Sequence, residues 1–187
     1  LIDATQITDA GLHKIFHPDM VIDENDRVHI VWSDHAGQHK IMYTALHPFE
    51  TAMDGSVSIE QDLTAINDFI VAQNINNRDW PAIDVDSKGN LHIVWQDNYD
   101  SLDMFFQQPQ IYYKMLQPDY ELPGVVVMFD DTLLTPIIGH KGHPDIVVDA
   151  NDYVQIAWDD TRGGKVELVF IVDTSGSMYS EWADVCT

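Results

Sequence analysis

The 187-residue chain carries 9 Lys and Arg against 31 Asp and Glu, a formal charge of −22, and a surface of that sign repels phosphate and argues against nucleic acid as a partner. Hydrophobic residues make up 45% of it and aromatics 10%, enough for a packed core and too many for a disordered chain. A single cysteine, Cys186, rules out an intrachain disulfide framework, and no apolar run reaches the roughly 18 residues of a membrane helix.

In chain order the first element is Ile2 to Thr8, whose pattern matches Phe129 to Thr135 near the other end. It reads as an outer strand with no sheet before it. Next come an apolar run after proline, His17-Pro18-Asp19-Met20-Val21-Ile22, a turn of Asp, Asn and Arg, and a returning run, Val28-His29-Ile30-Val31-Trp32. Together they predict a β-hairpin whose two faces are both largely apolar. The hairpin returns at Trp80 to Trp95 and at His143 to Trp158, so that Trp32, Trp95 and Trp158 recur every 63 residues.

After each tryptophan come an acidic turn and a third β-rich run, Ile41-Met42-Tyr43, Ile111-Tyr112-Tyr113 or Leu168-Val169-Phe170. A fourth strand fits Ser58 to Thr64 and Met128 to Thr135, and Ala65 to Trp80 reads as a linker. Long-period self-similarity marks a repeat architecture, and four strands per repeat is the size of a propeller blade.

The predicted fold is therefore all-β: a β-propeller of four-stranded blades with three repeats per chain. Blades fall around residues 17–64, 80–135 and 143–172 within a repeat region of 1–165, and residues 1–9 form an orphan outer strand. Propeller rings typically hold about 4–8 blades, so three predict a homodimer of six, each copy lending its first strand to the other. The chain reads as a piece of a longer, secreted or cell-surface protein.

The pattern Asp-x-x-(Gly/Asn/Asp)-x-x-His-Ile-Val-Trp-x-Asp resembles the blades of sialidase-like (BNR-type) propellers, although it departs from their Asp-box, Ser-x-Asp-x-Gly-x-Thr-Trp. The resemblance covers roughly residues 1–165 and implies a propeller fold. Residues 166–187 open on Val166 to Met178, an apolar strand running into Asp173-Thr174-Ser175-Gly176-Ser177. This resembles the first strand and Asp-x-Ser-x-Ser motif of a von Willebrand factor A domain. That likeness implies that Asp173, Ser175 and Ser177 hold a hard cation, Mg²⁺ or Ca²⁺, in an incomplete motif, and that the segment doubles as a blade strand.

Other candidates come from the repeats. His17 and His143, with His13 and His140 nearby, flank the first strands that line a propeller channel, and are candidate Zn²⁺ or Ni²⁺ ligands or else strand caps. Trp32, Trp95 and Trp158 are candidate sugar-stacking platforms, with packing between blades as the alternative. His29 and His92 read as core histidines, and Asp84 to Asn90 as a tight turn rather than a calcium loop. Arg27, Arg78 and Arg162 sit too far apart in the repeat to form a sialidase's carboxylate clamp. The acid pairs Asp130/Asp131 and Asp159/Asp160 are numerous enough to arise by chance.

No catalytic residue and no organic cofactor emerges. The sequence favours a non-catalytic interaction or adhesion module of a larger surface protein. The alternatives are a sialidase-like glycoside hydrolase or glycan-binding lectin, and a self-assembling structural spacer.

Overall fold

The computed structural model describes residues 14–46, 64–73, 78–98, 108–121, 124–135, 139–160 and 165–171. Those residues form strands and turns, and none is helical. The first sheet takes β1 (Ile15–Ile22), β2 (Val28–Asp34), β3 (Lys40–Leu46) and β4 (Thr64–Gln73) in that order. The second repeats it with β5 (Arg78–Val85), β6 (Leu91–Asn98), β7 (Pro109–Asp119) and β8 (Gly124–Leu133). The third contains β9 (Lys141–Val148), β10 (Val154–Asp160) and β11 (Lys165–Ile171). Neighbouring strands are antiparallel throughout, as in successive blades.

The repeated hairpin is fixed by one carboxylate per blade. Asp23 Oδ1 accepts the amides of Asn25 and Arg27, Asp86 Oδ1 those of Lys88 and Asn90, and Asp149 Oδ1 those of Asn151 and Tyr153. The chain then needs one left-handed residue to enter the second strand, and Asp26, Gly89 and Asp152 supply it at φ 59, 79 and 64. Asp and Gly tolerate that region better than bulky residues do. The expected tight turn at Asp84 to Asn90 is thus present.

Behind the turns of the first two blades lies a buried polar trio. His29 Nδ1 meets the Tyr43 hydroxyl at 2.9 Å while its Nε2 faces Asp23 at 3.5 Å. His92 stands between Tyr113, at 2.7 Å, and Asp86, at 3.5 Å, in the same way. Both imidazoles are enclosed and bonded, as core histidines should be. At the other end of the hairpin, Arg78 Nε donates to Asp97 at 2.6 Å and Lys141 Nζ to Asp160 at 2.6 Å, both pairs buried and opposite each other across the strands.

Apolar packing joins the blades. Trp95 of the second blade lies in one core with Val31, Ile41 and Tyr43 of the first, and Trp158 of the third lies in another with Val94, Ile111 and Tyr113 of the second. Polar latches add direction. Asp19 Oδ2 accepts the amide of Ile83 at 2.9 Å, and Asp84 Oδ2 that of Val148 at 2.6 Å, tying β1 to β5 and β5 to β9. Lys114 Nζ reaches back from β7 to the carbonyl of Val71 on β4.

One boundary differs from the sequence reading. The fourth strand of the first blade is Thr64–Gln73, the stretch expected to be a linker, and Ser58 to Leu63 lie outside the described residues. Pairing with β3 overrides the weak strand propensity of Ala65, Asn67, Asp68 and Ala72. The orphan strand at residues 1–9 and the segment after Ile171 also lie outside the described residues. Among the described residues, no helix is long and apolar enough to cross a membrane.

Asp86 gives a test of the turn. Burial alone would raise its carboxyl, but bonds from His92, Asn90 and two amides outweigh burial and hold it at about 2, against an ordinary 3.8. Its contribution to stability is therefore complete above pH ~4 and lost as pH falls through about 2. Urea midpoints measured across that window are expected to fall in the native chain, and to fall less steeply in Asp86→Asn.

Candidate functional site

The inner strand of each blade breaks its own rule at one residue. His17, Trp80 and His143 each precede a proline, where the extended region is favoured, yet they adopt φ 48, 52 and 46. A left-handed conformation at a bulky residue costs of order 1–3 kcal/mol, and it persists only where the surroundings impose it. Here the imposing element is a bulge: the register slips between Phe16 and Asp19, between Asp79 and Ala82, and opposite the Ala157 to Asp159 step on β9.

The bulges bring the three side chains together at one end of neighbouring blades. His17 stacks on Trp80 with centroids 3.5 Å apart and planes at 23°, and His143 meets the same indole edge-on at 4.4 Å. Trp80 keeps 37% of its surface exposed, and Phe16 beside His17 is also exposed. Gly142 leaves room here for two polar side chains: a Cβ would lie 2.8 Å from Gln96 Oε1 and 2.9 Å from Asp159 Oδ1, and both would have to move.

Carboxylates and imidazoles surround this aromatic row. His17 Nδ1 donates to Asp79 Oδ1 at 2.6 Å, and His35 Nε2 lies 3.6 Å from Asp79 Oδ2. His35 stacks on His39 at 4.1 Å and packs against Phe16 at 4.8 Å. On the far side His143 Nδ1 donates to Asp159 Oδ2 at 2.9 Å.

Two carboxyls, one beside this row and one on the outer strand of the first blade, are pushed in opposite directions. Burial would raise Asp79, but bonds from His17, Ser33 and the Trp80 amide outweigh it and hold the group below the usual carboxylate range. Asp68 on β4, itself left-handed at φ 40, is raised by burial and by the charge of Asp34. Burial and then His35 lower the basicity of His39, while Asp79 and Asp34 act on it in the other sense. Carboxyls whose surroundings shift them in opposite directions are the raw material of acid/base catalysis.

Several expectations need correction. Trp32, Trp95 and Trp158 are all buried, Trp95 completely, and Trp95 and Trp158 lie in the cores that join neighbouring blades. Burial leaves none of the three open to a sugar ring. His17 and His143 do approach each other, but the Trp80 ring contacts both and each is committed to its own aspartate. Among the described residues no group of three or more His, Cys, Asp or Glu is placed to hold a metal.

Of the acid pairs, Asp130 and Asp131 both hold Lys114, while Asp159 and Asp160 divide between His143 and Lys141. Arg27 lies over the Tyr120 ring and Arg78 is paired with Asp97, so neither serves a carboxylate clamp. Asp173, Ser175, Ser177, Arg162, His13 and the loops at 74–77 and 99–106 lie outside the described residues. Asp68, Asp79, His35 and His39 were not singled out from the sequence. The one available signal was Trp80, the odd residue at the position where the other repeats have histidine.

No protein-family model matches the chain, and no curated protein matches its sequence. Solved structures do match. The endo-arabinase from Bacteroides thetaiotaomicron VPI-5482 superposes with a TM-score of 0.53 at 14% identity, over 87% of this chain and 57% of that one. An exo-1,5-α-L-arabinanase from a bovine ruminal metagenomic library gives 0.43 at 10% identity, over 83% and 51%. The α-L-arabinanase of Cellvibrio cellulosa, in complex with arabinohexaose, gives 0.30 at 13%, over 83% and 72%. With its blade-like sheets, the first likeness makes the chain an all-β protein of the β-propeller class. The chain spans little more than half of that endo-arabinase, at 57%. The resemblance read from the sequence stands at this level of fold, and no family model matches the Asp-box repeats or the von Willebrand A segment.

The two kinds of tryptophan can be separated by substitution. Trp95→Ala is expected to cost about 3–5 kcal/mol, as for a large buried aromatic, and Trp80→Ala about 1 kcal/mol or less, both read from urea unfolding.

Proposed function

We propose that this chain is part of a carbohydrate-active β-propeller, a glycoside hydrolase working at the end of the blades where Phe16, His17, Trp80 and His143 meet. The observation that carries this reading is the exposed aromatic row of Phe16 and Trp80 with Asp79 bonded to His17 beside it; Asp68, raised above the usual carboxylate range, is the acid put forward to partner it. Exposed Phe16 would stack on a sugar ring, and the exposed part of Trp80, already held against His17 and His143, would line the same surface. Asp68 would give its proton to the glycosidic oxygen as the bond to the anomeric carbon breaks, and Asp79 would take a proton from the attacking water. His17 and His35 would hold Asp79 ionised and in place. A polymeric glycan substrate fits a secreted or surface setting, and the endo-arabinase likeness makes arabinan the first polymer to try.

A second reading, glycan binding without hydrolysis, is favoured by one fact. The Asp79 oxygens already face His17 and His35, which leaves less room for an attacking water. The adhesion reading rests on Asp173, Ser175 and Ser177, outside the described residues.

A panel of plant and bacterial polysaccharides, arabinan first, separates these readings by two assays: retention in affinity gels and release of reducing ends. Hydrolysis is expected in the native chain, falling by about 10²–10⁴-fold in Asp79→Asn and Asp68→Asn with retention unchanged. Trp80→Ala is expected to lose retention. Retention without new reducing ends establishes the lectin reading, and the absence of both overturns each.

A further inference from the structure

We propose that His39 is a positioning residue for Asp79, acting through the ring of His35. The proposal rests on the hydrolase reading for its catalytic half and on the fold alone for its structural half. Both histidines belong to the turn between β2 and β3, where Asp34 pairs across the strands with Lys40. Asp34 Oδ1 accepts the Ala36 amide at 2.9 Å, and Gly37 takes the left-handed φ of 75 that bends the chain back. The turn thereby lays residue 39 over residue 35, with ring centroids 4.1 Å apart and planes at 29°. The corresponding turn of the third repeat, Thr161 to Gly164, contains no histidine.

His35 is held from three further directions. Its amide donates to the carbonyl of Lys14 at 2.9 Å, its ring packs on Phe16 at 4.8 Å, and Nε2 faces Asp79 Oδ2 at 3.6 Å. That last distance is too long for a hydrogen bond, and Nε2 is enclosed without one. Packing against Phe16 and His39 thus keeps the ring at the carboxylate. Oδ1 of Asp79 already accepts from His17 and from the Trp80 amide, so Oδ2, the oxygen that His35 faces, is the better placed to take the proton of an attacking water. The place of His35 sets what can reach that oxygen.

His39 suits this task only while it is uncharged. The titratable groups that face it are His35 in its own turn, Asp34 on β2 and Asp79 on β5. Burial, then His35, lower its basicity below the ordinary 6.5, and the opposing pull of Asp79 and Asp34 is the smaller effect. The folded chain therefore keeps it neutral at a pH where an unfolded histidine begins to charge, and two rings 4.1 Å apart would repel once both are protonated. The stack is expected to persist as pH falls through 6.5 and to loosen below it.

The test compares the native chain with His39→Ala, which removes the ring, and His39→Phe, which keeps a flat ring that cannot charge. The position lies in a half-buried turn, and circular dichroism checks that both variants fold. In proton NMR the cross-peak between the His35 and Phe16 rings is expected in the native chain and in His39→Phe, and is expected to vanish in His39→Ala. Acidification below the ordinary histidine range is expected to weaken it in the native chain and not in His39→Phe. In the reducing-end assay on arabinan, His39→Ala is expected to lower kcat roughly 10–10²-fold at unchanged KM, and His39→Phe to restore it and extend the acid limb of the pH profile. A cross-peak that survives in His39→Ala, or a His39→Phe variant that behaves like His39→Ala, would overturn the proposal. A native chain that releases no reducing ends while the cross-peak follows this pattern overturns the hydrolase reading and the catalytic role with it, and leaves His39 as the residue that places His35.

Discussion

The arrangement depends on one backbone constraint, the left-handed residue before proline in every inner strand. A strand that kept its regular register through His17, Trp80 and His143 would bury or scatter these side chains; the bulge instead sets them in a row across three blades. Something must hold the chain in that disfavoured state. In the second and third blades the residue two places earlier is a buried cation, Arg78 or Lys141, locked onto Asp97 or Asp160 of the returning strand. Buried ion pairs are weak evidence for net stability, but breaking one is costly, and that cost fixes the start of the strand. In the first blade the cation is replaced by Ile15 opposite Asp34. Asp34 caps the Ala36 amide instead and directs its charge toward His39 and Asp68. The departure from the repeat thus adds the charge of Asp34 to the burial that raises Asp68.

The repeat and its exceptions divide the work. What recurs is structural: the Asp23, Asp86 and Asp149 turns, the Asp–His–Tyr trios of the first two blades, the buried tryptophans and the Asp19 and Asp84 latches. Much of what does not recur gathers at one end: Trp80 where the other blades have histidine, Asp79 bonded to His17 beside it, and the stacked His35 and His39. A scaffold of near-identical blades places such differences side by side without disturbing the packing that holds them.

The hairpins, the blade unit and the role of His29 and His92 were legible because alternation, turn chemistry and a long period all point the same way. The cation-to-aspartate spacing of 19 residues, shared by Arg78 with Asp97 and Lys141 with Asp160, stands in the sequence but was not read from it, because only folding shows the two members opposite each other. The fourth strand at Thr64–Gln73 was not legible, since Ala, Asn and Asp there give no β signal and pairing with β3 decides. Nor was the site. Trp80 and Trp95 are the same residue type fifteen places apart, and only the bulge and the blade junction make one exposed and the other buried. Asp68 and Asp79 belong to no motif, because the property that singles them out is the field of neighbours brought in by folding.

The central claim is that folding shifts two carboxyls in opposite directions, Asp79 below the usual carboxylate range and Asp68 above it. Carboxyl ¹³C NMR titration of the folded chain, with Asp68 and Asp79 assigned by substitution, measures that separation without reference to any substrate. The account expects Asp79 to titrate below the ordinary aspartate value of 3.8 and Asp68 above it, with Asp34→Asn moving Asp68 back down. Coincident titrations for Asp68 and Asp79, or an Asp68 indifferent to Asp34, would contradict it.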